Sequence, residues 1–146
     1  MFLYRGVSGA GKTTLLDILS FRKTTGSISG TILLNGQVPS KNQISIVTGY
    51  VEQFDTLFCY QTVYESLMFV ATLKLPRDLS LGIRRQIVEE VIDILELSDI
   101  RDRLIGNEKT PGLSPSQLKR VNIAVELVGN PAVLFLDEPT TGMPVV

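Results

Sequence analysis

Histidine and tryptophan are absent from this sequence, and cysteine occurs once, at Cys59. Without histidine, the chain cannot bind a metal through imidazole or use histidine as a general base, which excludes histidine-containing triads and zinc sites of the Cys/His type. A single cysteine cannot form a disulfide within the chain and suits a reducing compartment, so we expect Cys59 to be a small buried thiol and not a nucleophile. Acids, lysines, hydroxyls and glycines therefore remain as the candidate functional groups.

Long apolar runs and an excess of either charge are also missing. The longest apolar stretches, LMFVATL and AVLFL, are far shorter than the about 18–20 residues that cross a bilayer. A membrane location would therefore have to come from a partner or from a segment outside this sequence. The net charge of −1 gives no indication of binding to nucleic acid. With 44% hydrophobic and 20% charged residues, the 146-residue chain has the composition of one globular domain.

Short apolar runs alternate with helical patterns along the chain. The start reads as a strand, a glycine-rich turn and a helix, and GSISGTILLNGQ predicts a small antiparallel β hairpin because Asn-Gly favours tight turns. Ile44 to Val51 predicts a second strand, and AVLFL is an apolar run of the kind that parallel sheets bury on both faces. Together these patterns indicate an α/β fold with a mainly parallel sheet. The first helix is expected to bury Leu15, Leu16, Ile18 and Leu19.

Three helices are predicted in the middle of the chain. Thr62 and Glu65 form a capping box before the first, which Pro76 ends. The third has Ser114 at its N-cap, Pro115 at N1 and Gln117 at N3, with Gly129 and Pro131 after it. The second is an amphipathic helix whose apolar positions at helical spacing are Ile83, Ile87, Val91 and Ile94.

The stretch GVSGAGKTT fits the phosphate-loop pattern G-x-x-x-x-G-K-[ST]. Gly6, Gly9 and Gly11 let backbone N–H groups turn inward around a phosphate chain, and the helix that follows points its positive end at the same anion. Lys12 can reach the β- and γ-phosphates, and the Thr13 hydroxyl can bind Mg²⁺. A chance glycine-rich turn before Lys-Thr is the alternative, but the apolar strand before it and the apolar helix after it favour a phosphate loop.

The stretch VLFLDE places two acids at the end of an apolar strand. In a phosphate-loop domain, Asp137 would hold Mg²⁺ directly or through water, and Glu138 could polarise a water for attack on the γ-phosphate. The alternative is a surface turn that begins with Asp-Glu and is ended by Pro139. The upstream loop favours the functional interpretation.

These motifs together resemble the nucleotide-binding domain of an ATP-binding cassette transporter. GVSGAGKTT is similar to the Walker A motif, VLFLDEPTTG to Walker B, GYVEQFD to the Q-loop with Gln53 as its glutamine, and GLSPSQLKRVNIAVELVGNP to the signature motif and its helix. The wording resembles the G subfamily and, within it, transporters of the pleiotropic-drug-resistance type. The pair Glu52–Gln53 is similar to the second cassette of full-length members.

The resemblance implies a role for each matching residue. Lys12, Gln53 and Glu138 would be catalytic, with Glu138 as the general base. Thr13, Gln53 and Asp137 would surround Mg²⁺. Ser114 and Gln117 would contact the ATP that an opposite cassette holds. The residues implied to bind ATP are Gly6, Ser8, Gly9, Ala10, Gly11, Lys12, Thr13 and Thr14.

The resemblance also implies a fold and partners. The fold would be a P-loop NTPase with a helical subdomain between Gln53 and Ser114. Residues 1–146 would be a partial nucleotide-binding domain, with its core in 1–52 and 129–146 and a helical and signature region at about 53–128. Its function would be Mg-ATP hydrolysis that drives an exporter, at the cytoplasmic face of a membrane. Its partners would be a second cassette in a head-to-tail sandwich and the transmembrane domain of the same transporter, with no nucleic acid.

The sequence departs from the family pattern in two places. Pro115 and Ser116 stand where the signature has two glycines, and Pro115 lacks an N–H, so we expect slow hydrolysis of the ATP that this signature faces. Met143 stands where the D-loop should begin, no switch histidine follows, and no base-stacking aromatic precedes the loop, so the domain is expected to be truncated at both ends. Two alternatives therefore stay open: a catalytically incompetent nucleotide-binding module and a P-loop NTPase unrelated to transport.

Overall fold

The computed structural model describes residues 7, 9–52, 57–107 and 110–138. Helices and strands alternate along these ranges, so the predicted α/β class is confirmed. The helices are α1 (Lys12–Leu19), α2 (Lys41–Val47), α3 (Val63–Lys74), α4 (Leu81–Ile94) and α5 (Pro115–Leu127), with a 3₁₀ turn at Ser98–Ile100. The strands are β1 (Thr48–Val51) and β2 (Val133–Leu136). None of the helices in the described ranges is long and apolar enough to span a bilayer.

The two strands form a parallel pair, as the sequence predicts. Thr48 lies opposite Val133 and Val51 lies opposite Leu136. Both carboxyl ends therefore meet at one edge of the sheet, where the Asp137 N–H donates to the Val51 carbonyl at 3.1 Å. Burial is lower than expected, since Val133 is 39% exposed and the other residues of β2 are half-buried.

The predicted antiparallel hairpin is not confirmed: within the residues that the structure describes, it consists of a turn and one bridge. Asn35 and Gly36 do form a tight turn, with φ angles of 50° and 81°, and Leu34 and Gln37 exchange two backbone hydrogen bonds across it. The pairing stops at this single bridge. The flanking Ile28 and Leu33 are 55% and 57% exposed, and a hairpin without a buried face is marginal in water.

The predicted strand from Ile44 to Val51 is correct only for its second half. Residues Lys41–Val47 form α2 instead. Ser40 and Gln43 make a reciprocal capping box at the start of this helix. The two side chains accept hydrogen bonds from two backbone N–H groups that have no partner within the helix. This local pairing outweighs the strand preference of Ile44, Ile46 and Val47.

The hydrophobic core lies among α3, α4, α5 and the turns that join them. The capping boxes predicted at Thr62/Glu65 and at Ser114/Gln117 are both present and confirm where α3 and α5 begin. The core therefore lies in the middle of the chain, and β1 adds Val51 beside it. The buried cluster consists of Val63, Leu67, Ala71, Leu75, Val88, Val91, Ile92, Leu97, Ile100, Ile105, Leu113, Val121, Ala124 and Val128.

The buried faces of two helices agree with the prediction only in part. In α4, Val91 is buried and Ile87 packs against the core as predicted, whereas Ile83 and Ile94 are 46% and 70% exposed. The Arg84 guanidinium is buried against main-chain carbonyls instead. In α1 the four predicted apolar residues are half-buried, and no residue of this helix is fully buried.

Candidate nucleotide-binding site

The glycine-rich loop enters α1 through left-handed backbone. Gly9 and Gly11 have φ angles of 81° and 84°, and Gly11 is the N-cap. These angles favour glycine. A Cβ at either position would meet nothing within 4 Å, so the space beside the loop is open. The first turn of α1 has no acidic residue, and no side chain caps it. These features fit a bound anion such as a phosphate chain. The predicted Gly6 and Ser8 lie outside the described residues.

Lys12 is the first residue of α1 and lies over the loop. Its Nζ donates to the Val7 carbonyl at 3.1 Å and lies 4.0 Å from Glu138 Oε1. The structure therefore brings together the lysine of the loop and the second acid at the end of β2, which are 126 residues apart in the chain. Ala10, Thr13 and Thr14 are exposed beside it.

The two acids at the end of β2 have different surroundings. Asp137 is 4% exposed and its backbone is tied to Val51, whereas the Glu138 side chain is 35% exposed. Glu138 has a φ angle of 49°, in the left-handed region that non-glycine residues seldom adopt. A buried carboxylate can hold a divalent cation, and a partly exposed one is accessible to water.

The segment that leads to the predicted Q-loop is held on two sides. Gln53 itself lies outside the described residues. Glu52 directly precedes it. The Glu52 carboxylate accepts a hydrogen bond from Arg22 Nη1 at 2.9 Å, and the Glu52 main-chain carbonyl accepts one from Lys119 Nζ at 2.8 Å. The chain just before Gln53 is therefore attached to the residues after α1 and to α5.

A polar cluster around Tyr50 joins β1 to α1. The Tyr50 hydroxyl donates to Asp17 Oδ1 at 3.0 Å, and the Arg22 guanidinium lies 4.4 Å from the centre of the tyrosine ring. Burial raises the pKa of Tyr50, and the hydrogen bond to Asp17 and the negative charges of Asp17 and Asp137 raise it further. The phenol therefore stays protonated and keeps donating to Asp17. No spacing in the sequence pairs these residues, so sequence reasoning missed this cluster.

The predicted signature residues lie at the start of α5. The Ser114 hydroxyl accepts from the Gln117 N–H at 3.3 Å, and Gln117 Oε1 accepts from the Ser114 N–H at 2.9 Å. The Ser114 and Ser116 hydroxyls are 3.1 Å apart. The hydrogen bonds of the Ser114 and Gln117 side chains therefore remain within the first turn of α5, and these residues belong to a different helix from Lys12.

The family model described as "ABC transporter" matches residues 3–141. This chain belongs to the ABC transporter family. Over 138 residues it is 49% identical to ABC transporter G family member 36 of Oryza sativa subsp. indica, 51% identical to ABC transporter G family member 43 of Arabidopsis thaliana and 48% identical to Pleiotropic drug resistance protein 1 of Nicotiana tabacum. Each alignment covers 94% of this chain and 10% of the relative. The chain thus spans about a tenth of the length of the curated relatives it matches.

These comparisons confirm the resemblance that the motifs indicated. The relatives carry G-family and pleiotropic-drug-resistance names, as the wording of the motifs predicted. Membership implies a P-loop NTPase fold and a domain of a type that binds ATP, typically with Mg²⁺. A P-loop enzyme unrelated to transport is therefore not favoured.

Proposed function

We propose that this chain is the ATP-binding and ATP-hydrolysing cassette of an exporter, in which hydrolysis of Mg-ATP drives transport. The observation that carries the proposal is the approach of Lys12, on the glycine loop, to within 4.0 Å of Glu138, at the end of β2. A phosphate chain wrapped by that loop would lie beside both a cation that neutralises it and an acid that can activate water.

The loop residues bind the phosphates in this proposal. Gly9 and Gly11 supply inward-facing backbone N–H groups, and Lys12 exchanges the Val7 carbonyl for phosphate oxygens. Thr13, Gln53 and Asp137 would hold Mg²⁺, which neutralises charge on the phosphates when bound. The complete set assigned to ATP is Gly6, Ser8, Gly9, Ala10, Gly11, Lys12, Thr13 and Thr14.

Glu138 is the proposed general base. Its side chain is 35% exposed, so water can reach it, and the Lys12 ammonium lies 4.0 Å from its Oε1. Glu138 would accept a proton from the water that attacks the γ-phosphate. Lys12 and Gln53 complete the proposed catalytic set, as residues that orient the phosphates and the water.

A second cassette and a transmembrane domain are the proposed partners. Ser114 and Gln117 would face ATP held by the other cassette in a head-to-tail sandwich, and the transmembrane domain would place the assembly at the cytoplasmic face of a membrane. Because Ser114 already caps α5 and Pro115 has no N–H, fewer donors face that ATP than two glycines would offer. We therefore propose slow hydrolysis at the nucleotide that this signature contacts.

Binding and turnover of Mg-ATP by wild-type and substituted chains test the proposal. We expect Lys12→Ala to weaken ATP binding about 10- to 100-fold, the effect of losing charge-assisted hydrogen bonds. Lys41→Ala is the matched control, because Lys41 is also the first residue of a helix, α2, and lies outside the loop. Wild-type affinity in Lys12→Ala would contradict the proposal.

Glu138→Gln separates binding from chemistry. We expect it to retain ATP affinity and to lower the hydrolysis rate about 10²- to 10⁴-fold, the usual contribution of a general base. If wild type binds ATP but hydrolyses it no faster than Glu138→Gln does, the chain is a nucleotide-binding module without turnover.

A further inference from the structure

Lys119 is a buried cation on α5 that reaches across to the strand β1. Its residue is 4% exposed, and its Nζ donates to the main-chain carbonyl of Glu52 at 2.8 Å, across 67 positions of sequence. Burying an ammonium is costly unless it is hydrogen-bonded. The bond to Glu52 therefore restrains both the lysine and the carbonyl that it contacts.

The accepting carbonyl lies at the edge of the sheet that carries the candidate site. Val51, one residue earlier, accepts the backbone N–H of Asp137 at 3.1 Å. Two consecutive carbonyls at the end of β1 are thus held by Asp137 and by Lys119. The same two residues, Val51 and Glu52, lead directly into Gln53.

We propose that Lys119 is a positioning residue for the nucleotide site, which holds the end of β1 so that Asp137 and the chain entering Gln53 lie where a Mg-nucleotide needs them. This inference rests on the proposed function. Lys119 acts through the main chain of Glu52 and does not itself contact the nucleotide. Residues that orient metal ligands from behind typically change metal affinity about 10- to 100-fold when they are replaced.

The neighbouring Arg120 shows what a purely structural cation on the same helix looks like. Its Nη1 donates to the carbonyls of Leu95 and Glu96, at 3.2 and 3.0 Å. These carbonyls follow the end of α4, in the helical part of the chain. Arg120 therefore makes the same kind of bond from the next position of α5, but to a target that carries none of the proposed site residues.

The test measures ATP binding by the whole chain as a function of Mg²⁺ concentration, and again with EDTA. The variants are Lys119→Met, Lys119→Arg and, as the matched control, Arg120→Met. We expect Lys119→Met to raise the Mg²⁺ concentration for half-maximal ATP binding about tenfold. Its ATP affinity in EDTA should stay within about twofold of wild type, because the substitution does not touch the loop. Lys119→Arg retains a donor and should recover most of the effect.

A role in stability alone predicts a different pattern. Lys119→Met would then lower the urea midpoint and, like Arg120→Met, leave the Mg²⁺ dependence unchanged. Wild-type Mg²⁺ dependence in Lys119→Met, or an equal shift in Arg120→Met, overturns the inference. If Lys119→Met does not fold, Lys119→Gln replaces it. A smaller rise in the Mg²⁺ concentration for half-maximal binding then supports the inference, and no rise overturns it.

The same data separate this inference from the proposed function. Absence of Mg²⁺-dependent ATP binding in wild type overturns the proposed function and the inference with it. Mg²⁺-dependent binding in wild type that Lys119→Met leaves unchanged overturns the inference alone.

Discussion

The helical region, residues 57–128, and the nucleotide-site region, residues 9–52 and 129–138, are stabilised in different ways. In the part of the chain that the structure describes, the helical region contains the packed cluster around Leu67 and Ile92. The nucleotide-site region adds Ile44 and Val51 as buried hydrophobic residues. The residues proposed to bind and hydrolyse ATP therefore lie mostly outside the core.

Polar contacts take the place of packing in the nucleotide-site region. Lys119 and Arg22 both bond Glu52, and Tyr50 bonds Asp17. Apolar burial is non-directional and supplies most of the free energy of folding, whereas hydrogen bonds are directional and place atoms within narrow limits. The helical region therefore provides most of the stability, and polar contacts set the geometry of the site.

The largest expected difference between the regions comes from emptying the core. Leu67 is 0% exposed, and we expect Leu67→Ala to lower the free energy of unfolding by about 2–5 kcal/mol. Leu134→Ala removes the same atoms from the half-buried β2 and should cost less, because part of that side chain already contacts water. Urea denaturation followed by circular dichroism measures both losses. Equal losses would show that the helical region is not stabilised more by packing than β2 is.

Arg84 is a polar group that belongs to the core. Its guanidinium donates to the carbonyls of Ala71 and Pro76, both at 2.6 Å, and of Leu79 at 3.2 Å. We expect Arg84→Met to cost about 2–3 kcal/mol, because it removes three hydrogen bonds that a buried cation donates. Arg84→Lys should recover part of this loss.

Arg85 provides the control for this prediction. It is exposed, so Arg85→Met should change the urea midpoint little. If Arg84→Met is as stable as Arg85→Met, polar contacts in the helical region do not contribute as the structure indicates.

Gly49 tests close packing in the nucleotide-site region. A Cβ there would lie 2.8 Å from Leu134 Cδ1 and 3.2 Å from Glu126 Oε2, so Gly49→Ala should lower stability by about 1–2 kcal/mol. In the control, Gly82→Ala, the new methyl group meets nothing closer than Ser80 Oγ at 3.8 Å. That change should stabilise α4 by up to about 1 kcal/mol. If Gly49→Ala and Gly82→Ala destabilise the protein equally, Gly49 does not make a tight contact.

The smallest expected effect is a pH dependence in the helical region. The Thr62 N–H donates to Glu65 Oε2 at 2.8 Å, and this bond lowers the pKa of Glu65. Since the folded pKa lies below the unfolded value, the contribution is present above the unfolded pKa and is lost as pH falls through the folded one. Glu65→Gln should therefore flatten the dependence of the urea midpoint on acid pH. An unchanged slope would show that the capping box carries no ionic contribution.

Much of the fold and part of the site could be predicted from local patterns. The capping boxes at Thr62 and Ser114 were confirmed, as was the parallel strand leading to Asp137. The hairpin at Asn35 was not confirmed beyond its turn and one bridge, because a turn does not ensure paired strands. The face of α4 was predicted only in part, because an apolar pattern does not include the buried Arg84. The individual site residues stay predictions, to be tested by the substitutions above.

Local sequence patterns specify the features of this chain that depend on neighbours a few positions apart. These features are the phosphate loop that ends at Lys12, the acids after β2 and the starts of the helices. A helix starts where nearby side chains satisfy its first backbone N–H groups. Three contacts arise only from tertiary packing: Lys12 with Glu138, Tyr50 with Asp17 and Lys119 with Glu52. Those contacts join residues 33 to 126 positions apart. They depend on how β1, β2 and α5 pack, which no short pattern encodes.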